Sequence, residues 1–565
     1  MADNGKDASS DESSSSDECT LHIESGSAPS SDSGEPSAGV RCRCNQATFY
    51  RFDLGRHGTI RRFSTAGGFY WQLGIANCLG RCYKPATAPS SLSIDIDIHR
   101  YDIQNRKLIF PIIGTLDDDP DRKPFLIGMQ EYTQTGTPYN GEDLLKYIVA
   151  EVKKLTQKGC PWNGNRLPFK IRQITCNLSM IGYVRGLPPF DTPFGCGSCT
   201  AVASIWRGDT RSFPVEFYPQ RTNQALPVDM IADIVANPRE LLYTGAMKLL
   251  LNSWIGNNEH FNGTAWTNHT MWSIDRETQS ILVPYELRRR AEQPVRTAPR
   301  VADLPSGDWQ QYDYGMMLHY YGPVVLTRDR LTPKLYEHFI HLFCAVTICS
   351  SKVYRELLPM ARYCFEVFIR GCEKQYRAIP NEVHSLRHLI DAIERFGPLR
   401  PLSGAHDIHD ELLDFLQQRM AHQQGDSVGE LLKECIGRMD SYGRPYERPE
   451  PVTRTGDTMI RVRDNCYLNC ETFEDSWFMT RAGKIVSLYS YTSDNTLTGG
   501  EIAEPGTLFT TPMPSSMIHV YAVDKTVEPS GPLKHYGLAD VLCKMMVMES
   551  GHLLVFIPML CTMPN

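Results

Sequence analysis

The sequence lacks any apolar run of the roughly 18 residues that a membrane span needs; the run at Leu342–Cys349 is far too short. Its first residues offer neither a basic n-region nor an apolar h-region, so no secretory leader is expected. The 18 cysteines show no compact framework, and thiols scattered through a long chain read as reduced, some of them on zinc. An intracellular protein, nuclear or cytoplasmic, with no membrane partner is therefore expected. Positive charge is also missing. The formal net charge is −7, but residues 1–40 carry nine Asp/Glu and one Lys, or −8. The other 525 residues carry 57 Lys/Arg and 56 Asp/Glu, or +1. A near-neutral body matches a phosphate backbone poorly, so any nucleic-acid contact needs a local patch.

What is present falls into five stretches. Residues 1–40 are Ser-rich and acidic and bury too little apolar surface to fold, so a disordered tail is expected. Residues 41–90 form a short segment with Cys42, Cys44, Cys78 and Cys82, whose spacing fits no common zinc module. From Leu92 the pattern sharpens. Ser93–Ile98 alternates strictly, as a strand with one buried face does. Lys107–Ile113 and Pro124–Gln130 are further strand candidates, Gly141–Gln157 has helical spacing, and Ile171–Cys176 is another short strand. Strand, strand, strand, helix, strand is the order of an RNase H-like α/β core, placed here at 91–424. Residues 239–256 and 332–396 read as its large helical insertion, and 284–307, rich in charge, Pro and Gly, as an exposed loop. Residues 425–456 read as a linker. Short β-type runs then fill 457–565, a small, separate β-rich domain.

Several blocks carry a family resemblance. Lys170–Asn177 followed by Phe194-Gly195-Cys196-Gly197-Ser198-Cys199 resembles a block of CACTA-type (EnSpm-like) DNA transposases, where a strand ends in Cys-Asp and a Gly-Cys-x-x-Cys follows. Asp97 stands 13 residues before Phe110–Gly114, as the family's first aspartate stands before its Trp-Pro-Ile-Leu-Gly. Gly245–Trp254, Tyr321–Leu326, Val383–Leu389, Phe478–Thr480 and Pro512–Tyr521 follow in the same order. The resemblance covers residues 91–565, without the family's N-terminal DNA-binding portion.

The resemblance implies a nuclease-type site of three carboxylates holding two Mg²⁺ ions for in-line attack on a phosphodiester. Mg²⁺ needs charged oxygen ligands, and here the chain departs from the family. The first carboxylate survives as Asp97, with Asp95 on the same strand face. The second falls on Asn177, which keeps an oxygen but loses the charge. The third aligns with Ile408, or with Glu411 after a shift of three residues, and a further family element lands near Asn237 and Glu240. Mg²⁺ is therefore expected only if the site is active. The Cys/His positions are intact. Cys196 and Cys199 keep Cys-x2-Cys spacing, and His384 and His388 lie one helical turn apart, a complete ligand set for structural zinc. Arg288, Arg289 and Arg290 open the densest basic stretch, a candidate phosphate contact.

The expected function is a transposase-derived protein, an inactive DDE-type relative, that has lost cleavage and retains DNA or protein binding, or self-association. Two alternatives stand beside it. One is an active metal-dependent transposase or nuclease using Asp97, Asp95 and Glu411. The other is a protein-interaction scaffold with no nucleic-acid role.

Overall fold

The computed structural model describes residues 37–402 and 459–564 apart from short internal stretches, the longest 289–298, together with a few residues between 412 and 437. The chain is a mixed α/β protein with one large sheet, a helical layer and a second large sheet.

The first sheet begins with the antiparallel strands β1 (Ser37–Arg41), β2 (Thr48–Asp53), β3 (Thr59–Thr65) and β4 (Gly68–Gln72). Helix α1 (Ile75–Cys82) leads to β5 (Leu92–Ile98), β6 (Tyr101–Ile103), β7 (Lys107–Leu116) and β8 (Phe125–Tyr132). Helix α2 (Gly141–Lys158) and the hairpin β9 (Cys160–Trp162)–β10 (Asn165–Leu167) precede β11 (Phe169–Cys176). Helix α3 (Leu178–Arg185) and the hairpin β12 (Ser204–Arg207)–β13 (Thr210–Ser212) lie between β11 and β14 (Ile234–Ala236). The strand order is β1-β2-β3-β4-β8-β7-β5-β11-β14, with β6 on β7. Strands β5, β11 and β14 run parallel, and β5-β7-β8 are antiparallel.

This arrangement corrects two sequence expectations. Residues 37–40 belong to a strand rather than the tail, and 41–90 extends the sheet rather than standing apart. Cys78 is buried with its thiol 3.2 Å from the Leu126 carbonyl, while Cys42 and Cys44 lie outside the described residues. The alternation of β5 also has another cause than a solvent face. Six of its seven residues are buried, so both faces of this mid-sheet strand are covered; Asp95 is tolerated there through an ion pair with Arg172 on β11.

After β14 the described residues up to Phe396 are mainly helical. A π-helical segment, Glu240–Met247, runs into α4 (Lys248–Trp254), followed by α5 (Asn268–Ser280). Helix α6 (Gln311–Met316) continues through a second π-helical turn into α7 (Gly322–Val325). Helices α8 (Pro333–Cys349) and α9 (Leu358–Tyr376) pack side by side, and α10 (Asn381–Phe396) lies on α9 and on the Glu240–Met247 segment. Helix α8 starts at Thr332, which caps the Leu335 amide, with Pro333 in the first turn. After its partly exposed first turn, every residue from His338 to Cys349 is buried and most are apolar, as suits a helix enclosed on all sides over that length. Among the described residues no helix is long and apolar enough to cross a membrane.

The C-terminal part contains the hairpin β15 (Ile460–Arg463)–β16 (Cys466–Leu468), then β17 (Trp477–Thr480), β18 (Ile485–Tyr491), β19 (Thr496–Glu501) and β20 (Gly506–Thr507). Strands β21 (Tyr521–Asp524), β22 (Ser530–Gly537), β23 (Val541–Ser550) and β24 (Leu553–Pro558) complete it. The sheet order is β20-β21-β24-β23-β17-β18-β19-β22. This part is β-rich as expected, but it is not separate. Met479, Met545 and Phe556 share one hydrophobic cluster with Phe343 and Ile348 of α8. Tyr354 donates to the Ile518 carbonyl and lies 3.0 Å from His519 Nδ1. The expected linker is also partly core: Leu431, Leu432, Cys435 and Ile436 are buried.

Candidate metal centre and strand-end site

Helix α3 has a group of ligand-type side chains at each end. Beyond its C-terminus the chain makes the Phe194–Cys199 knuckle. Two glycines are dictated there by close approach: a side chain at Gly195 would strike the Phe190 carbonyl, and one at Gly197 would strike the Arg185 guanidinium. The knuckle faces α10, whose i, i+4 spacing puts His384 and His388 on one face.

The four side chains converge. Cys196 and Cys199 Sγ are 3.5 Å apart, Cys199 Sγ is 3.3 Å from His384 Nε2, and Cys196 Sγ is 3.5 Å from His388 Nε2. All four ligand atoms lie within 4.8 Å of one another. A tetrahedral zinc ion with ordinary Zn–S and Zn–N bonds requires S···S near ~3.8 Å and S···N near ~3.6 Å. The spacing thus fits a four-coordinate ion. Both cysteines and His384 are buried.

The surroundings hold this geometry. The Cys199 amide donates to Cys196 Sγ at 3.4 Å. Arg221 donates to the carbonyls of Cys196 and Cys199 at 3.1 and 2.9 Å. Phe213 stacks on His384 with ring centroids 4.7 Å apart, and Arg387 ties α10 to the carbonyls of Glu216 and Val215. The Cys199 thiol beside Cys196 draws the Cys196 thiol well below its ordinary range, against burial. Burial holds His384 low, toward the neutral imidazole that binds metal.

At the other end of α3 lies the strand-end group. In the parallel β5–β11 pair, Thr175 is in register with Asp97, so Asp97 and Asn177 share one end of the sheet. Asn177 is engaged at both polar atoms: its Oδ1 accepts from the Arg100 amide at 2.7 Å, and its Nδ2 donates to Glu240. The other Glu240 oxygen accepts from the Leu178 amide at 2.7 Å, capping α3. Burial pushes the Glu240 carboxyl up, while its bonds to Leu178 and Asn177 oppose that rise. Burial also pushes the Cys176 thiol up, and nearby Asp97 and Glu240 add to the effect.

The structure therefore assembles Cys196, Cys199, His384 and His388 at one point and puts Asp97 and Asn177 at the same end of the sheet, with Asp97 in register with Thr175. Asp95 points into a different network: Arg172 binds it at 2.7 Å through Nε and donates to the Phe396 carbonyl at 2.6 Å. Glu411 lies outside the described residues, as do Arg289 and Arg290. Arg288 is paired with Glu474 at 2.9 Å and Asp475 at 3.3 Å, so its charge is spent inside the molecule. Glu240 was visible in the sequence only as an acidic residue near a displaced family element. Its role depends on the first helical turn after β14 facing the start of α3. A family model described as a domain of unknown function (DUF8592) matches residues 453–559, within the C-terminal β-rich part. Among curated proteins none matches the chain.

Proposed function

We propose that this protein is a transposase-derived, RNase H-like scaffold that has lost phosphodiester cleavage, is braced by structural zinc, and works by binding DNA or protein. The fold reading is supported by the order β8-β7-β5-β11-β14. Three antiparallel strands followed by two parallel ones, with helices α2 and α3 in the crossovers, is the RNase H-like pattern; likeness of fold alone would not give function.

The observation that carries the loss of cleavage is Asn177. A two-metal site needs anionic oxygens at both strand ends. Here the second position is an amide whose oxygen and nitrogen are both taken, by Arg100 and Glu240. Glu240 in turn caps a helix instead of facing an open site. Purified protein given Mg²⁺ or Mn²⁺ and supercoiled plasmid should neither nick the plasmid nor join ends. Metal-dependent nicking that disappears in Asp97→Ala would overturn the proposal.

A second reading, a protein-docking scaffold without nucleic acid, is favoured by one surface. Phe194, Val202, Ile205, Phe217 and Tyr218 are all exposed around the metal-centre knuckle. Together with the near-neutral body, this apolar surface suits a protein partner better than a phosphate backbone.

A further inference from the structure

The C-terminal β unit buries a complete lysine. Lys544, in the middle of β23, has a side chain with no solvent exposure. Its ammonium contacts Asp475 at 2.6 Å and Glu286 at 2.7 Å. Asp475 belongs to the β unit. Glu286 does not: it comes from the single helical turn Tyr285–Leu287, between α5 and α6. A lone ammonium in a dry interior is prohibitively costly, so Lys544 needs a counter-ion, and it has one from the β unit and one from the turn.

The remaining contacts are reciprocal. From the turn, Glu286 meets Lys544 and accepts from the Tyr467 amide at 2.7 Å. Two residues on, Arg288 meets Glu474 and Asp475. The Tyr285 amide donates to Asp475 at 2.9 Å, and its ring sits edge-on to Tyr467. The β unit therefore presents one cation and two anions, and the turn supplies the opposite charge to each side. Every receiving residue, Tyr467, Glu474, Asp475 and Lys544, lies inside the 453–559 family match, while Glu286 and Arg288 lie far outside it. A domain cut at those bounds keeps the buried lysine and loses one of its two counter-ions.

We propose that the β unit carries a recognition socket whose ligand is a short turn bearing a carboxylate and, two residues later, a guanidinium, and that Pro284–Arg288 fills it from within this chain. Arg288, expected from the sequence to contact phosphates, thus acts with Glu286 as an internal address, fixing where the β unit docks on the helical layer. The two units then associate through a matched charge code as well as apolar contact, which selects against wrong docking poses.

The full-length protein tests this with a specific protease site inserted between residues 447 and 448. After cutting, the two pieces of the otherwise unaltered chain should stay together on size exclusion. The pieces of the Glu286→Ala, Arg288→Ala variant should dissociate, with affinity weakened by about a hundredfold or more. The decisive control is Lys544→Met, which replaces the buried cation with an apolar chain of similar length. On that background Glu286→Ala should lose most of its effect. If Glu286→Ala prevents folding before cutting, recovery of folded protein by Lys544→Met supports the socket, and no recovery overturns it. Pieces that remain associated in the double alanine variant at the original affinity would also overturn it. So would an equal effect of Glu286→Ala with and without Lys544.

Discussion

The two ends of α3 treat ligand-type side chains in opposite ways. At the C-terminal end, two thiols and two imidazoles point at a common centre, and their closest mutual contacts match the edges of a coordination tetrahedron. At the N-terminal end, a carboxylate and an amide have turned toward each other and toward backbone amides. The first arrangement leaves four donor atoms with no better use than an ion. The second has satisfied its polar atoms internally and leaves an ion little to gain. Residue type alone does not make a metal site; what matters is whether the donors are already committed.

The largest expected effect follows from removing the zinc proposed for the Cys/His cluster. Structural zinc contributes on the order of 10 kcal/mol in small metal-dependent domains. Chelation, or Cys199→Ser, should therefore abolish cooperative melting or lower Tm by more than about 10 °C. Metal analysis of the native protein should find one zinc per chain. An unchanged melt after verified metal removal would erase the contrast between the two ends.

The next effect lies at the opposite end. Asn177→Asp replaces a donor to Glu240 with a second anion, so it should cost about 2–4 kcal/mol without divalent ions. The repulsion raises one carboxyl of the pair, and Mg²⁺ should raise the Tm of the mutant but not of wild type. Adding Glu240→Gln restores a donor facing an acceptor and should recover most of the loss without Mg²⁺. Chemical denaturation of the three proteins with and without Mg²⁺ checks both statements.

Acid separates the two ends more gently. Protons compete with zinc for thiolate and imidazole, so the proposed metal centre should weaken as pH falls. Glu240 responds with the opposite sign. Its folded-state carboxyl is raised by burial, so its favourable contribution is complete below the unfolded value and is lost as pH rises through the folded one. The stability of wild type relative to Glu240→Gln should therefore improve on acidification, by about 1 kcal/mol or less. Melts of both proteins across pH 4–8 should show the trend, and a flat difference would deny the burial effect.

Asp97→Asn should show the smallest change, within about 1 kcal/mol, because it removes a charge from a half-buried position without creating an unpaired donor in a dry core. A large gain in stability would mean that Asp97 is held at a cost, as in a working active site.

The Cys/His set was legible because both pairs obey short-range rules: two residues between thiols in a knuckle, and one helical turn between imidazoles. The central strands were legible from apolar runs bounded by turn residues. The N-terminal strands were not, since Ser37–Gln72 has no sustained alternation and acquires its partners only through the antiparallel order that ends on β8. The buried lysine was hidden for another reason. Within Val541–Ser550, Lys544 looks like a polar interruption, and its two counter-ions lie 258 and 69 positions away in the chain. No local pattern carries that information. Arg288 was misjudged likewise: a basic cluster looks the same whether its partners are phosphates or distant carboxylates.

The separation within the metal centre sets a schedule for synthesis. Cys199 and His384 are 185 positions apart. At 5–20 residues per second, the cysteine half leaves the ribosome about 10–40 s before the histidine half. During that interval the two thiols lack their histidine partners and are open to oxidants as well as to free zinc. Once α10 arrives, the same two sulfurs become buried, so the chance of damage belongs to the birth of the molecule rather than to its working life.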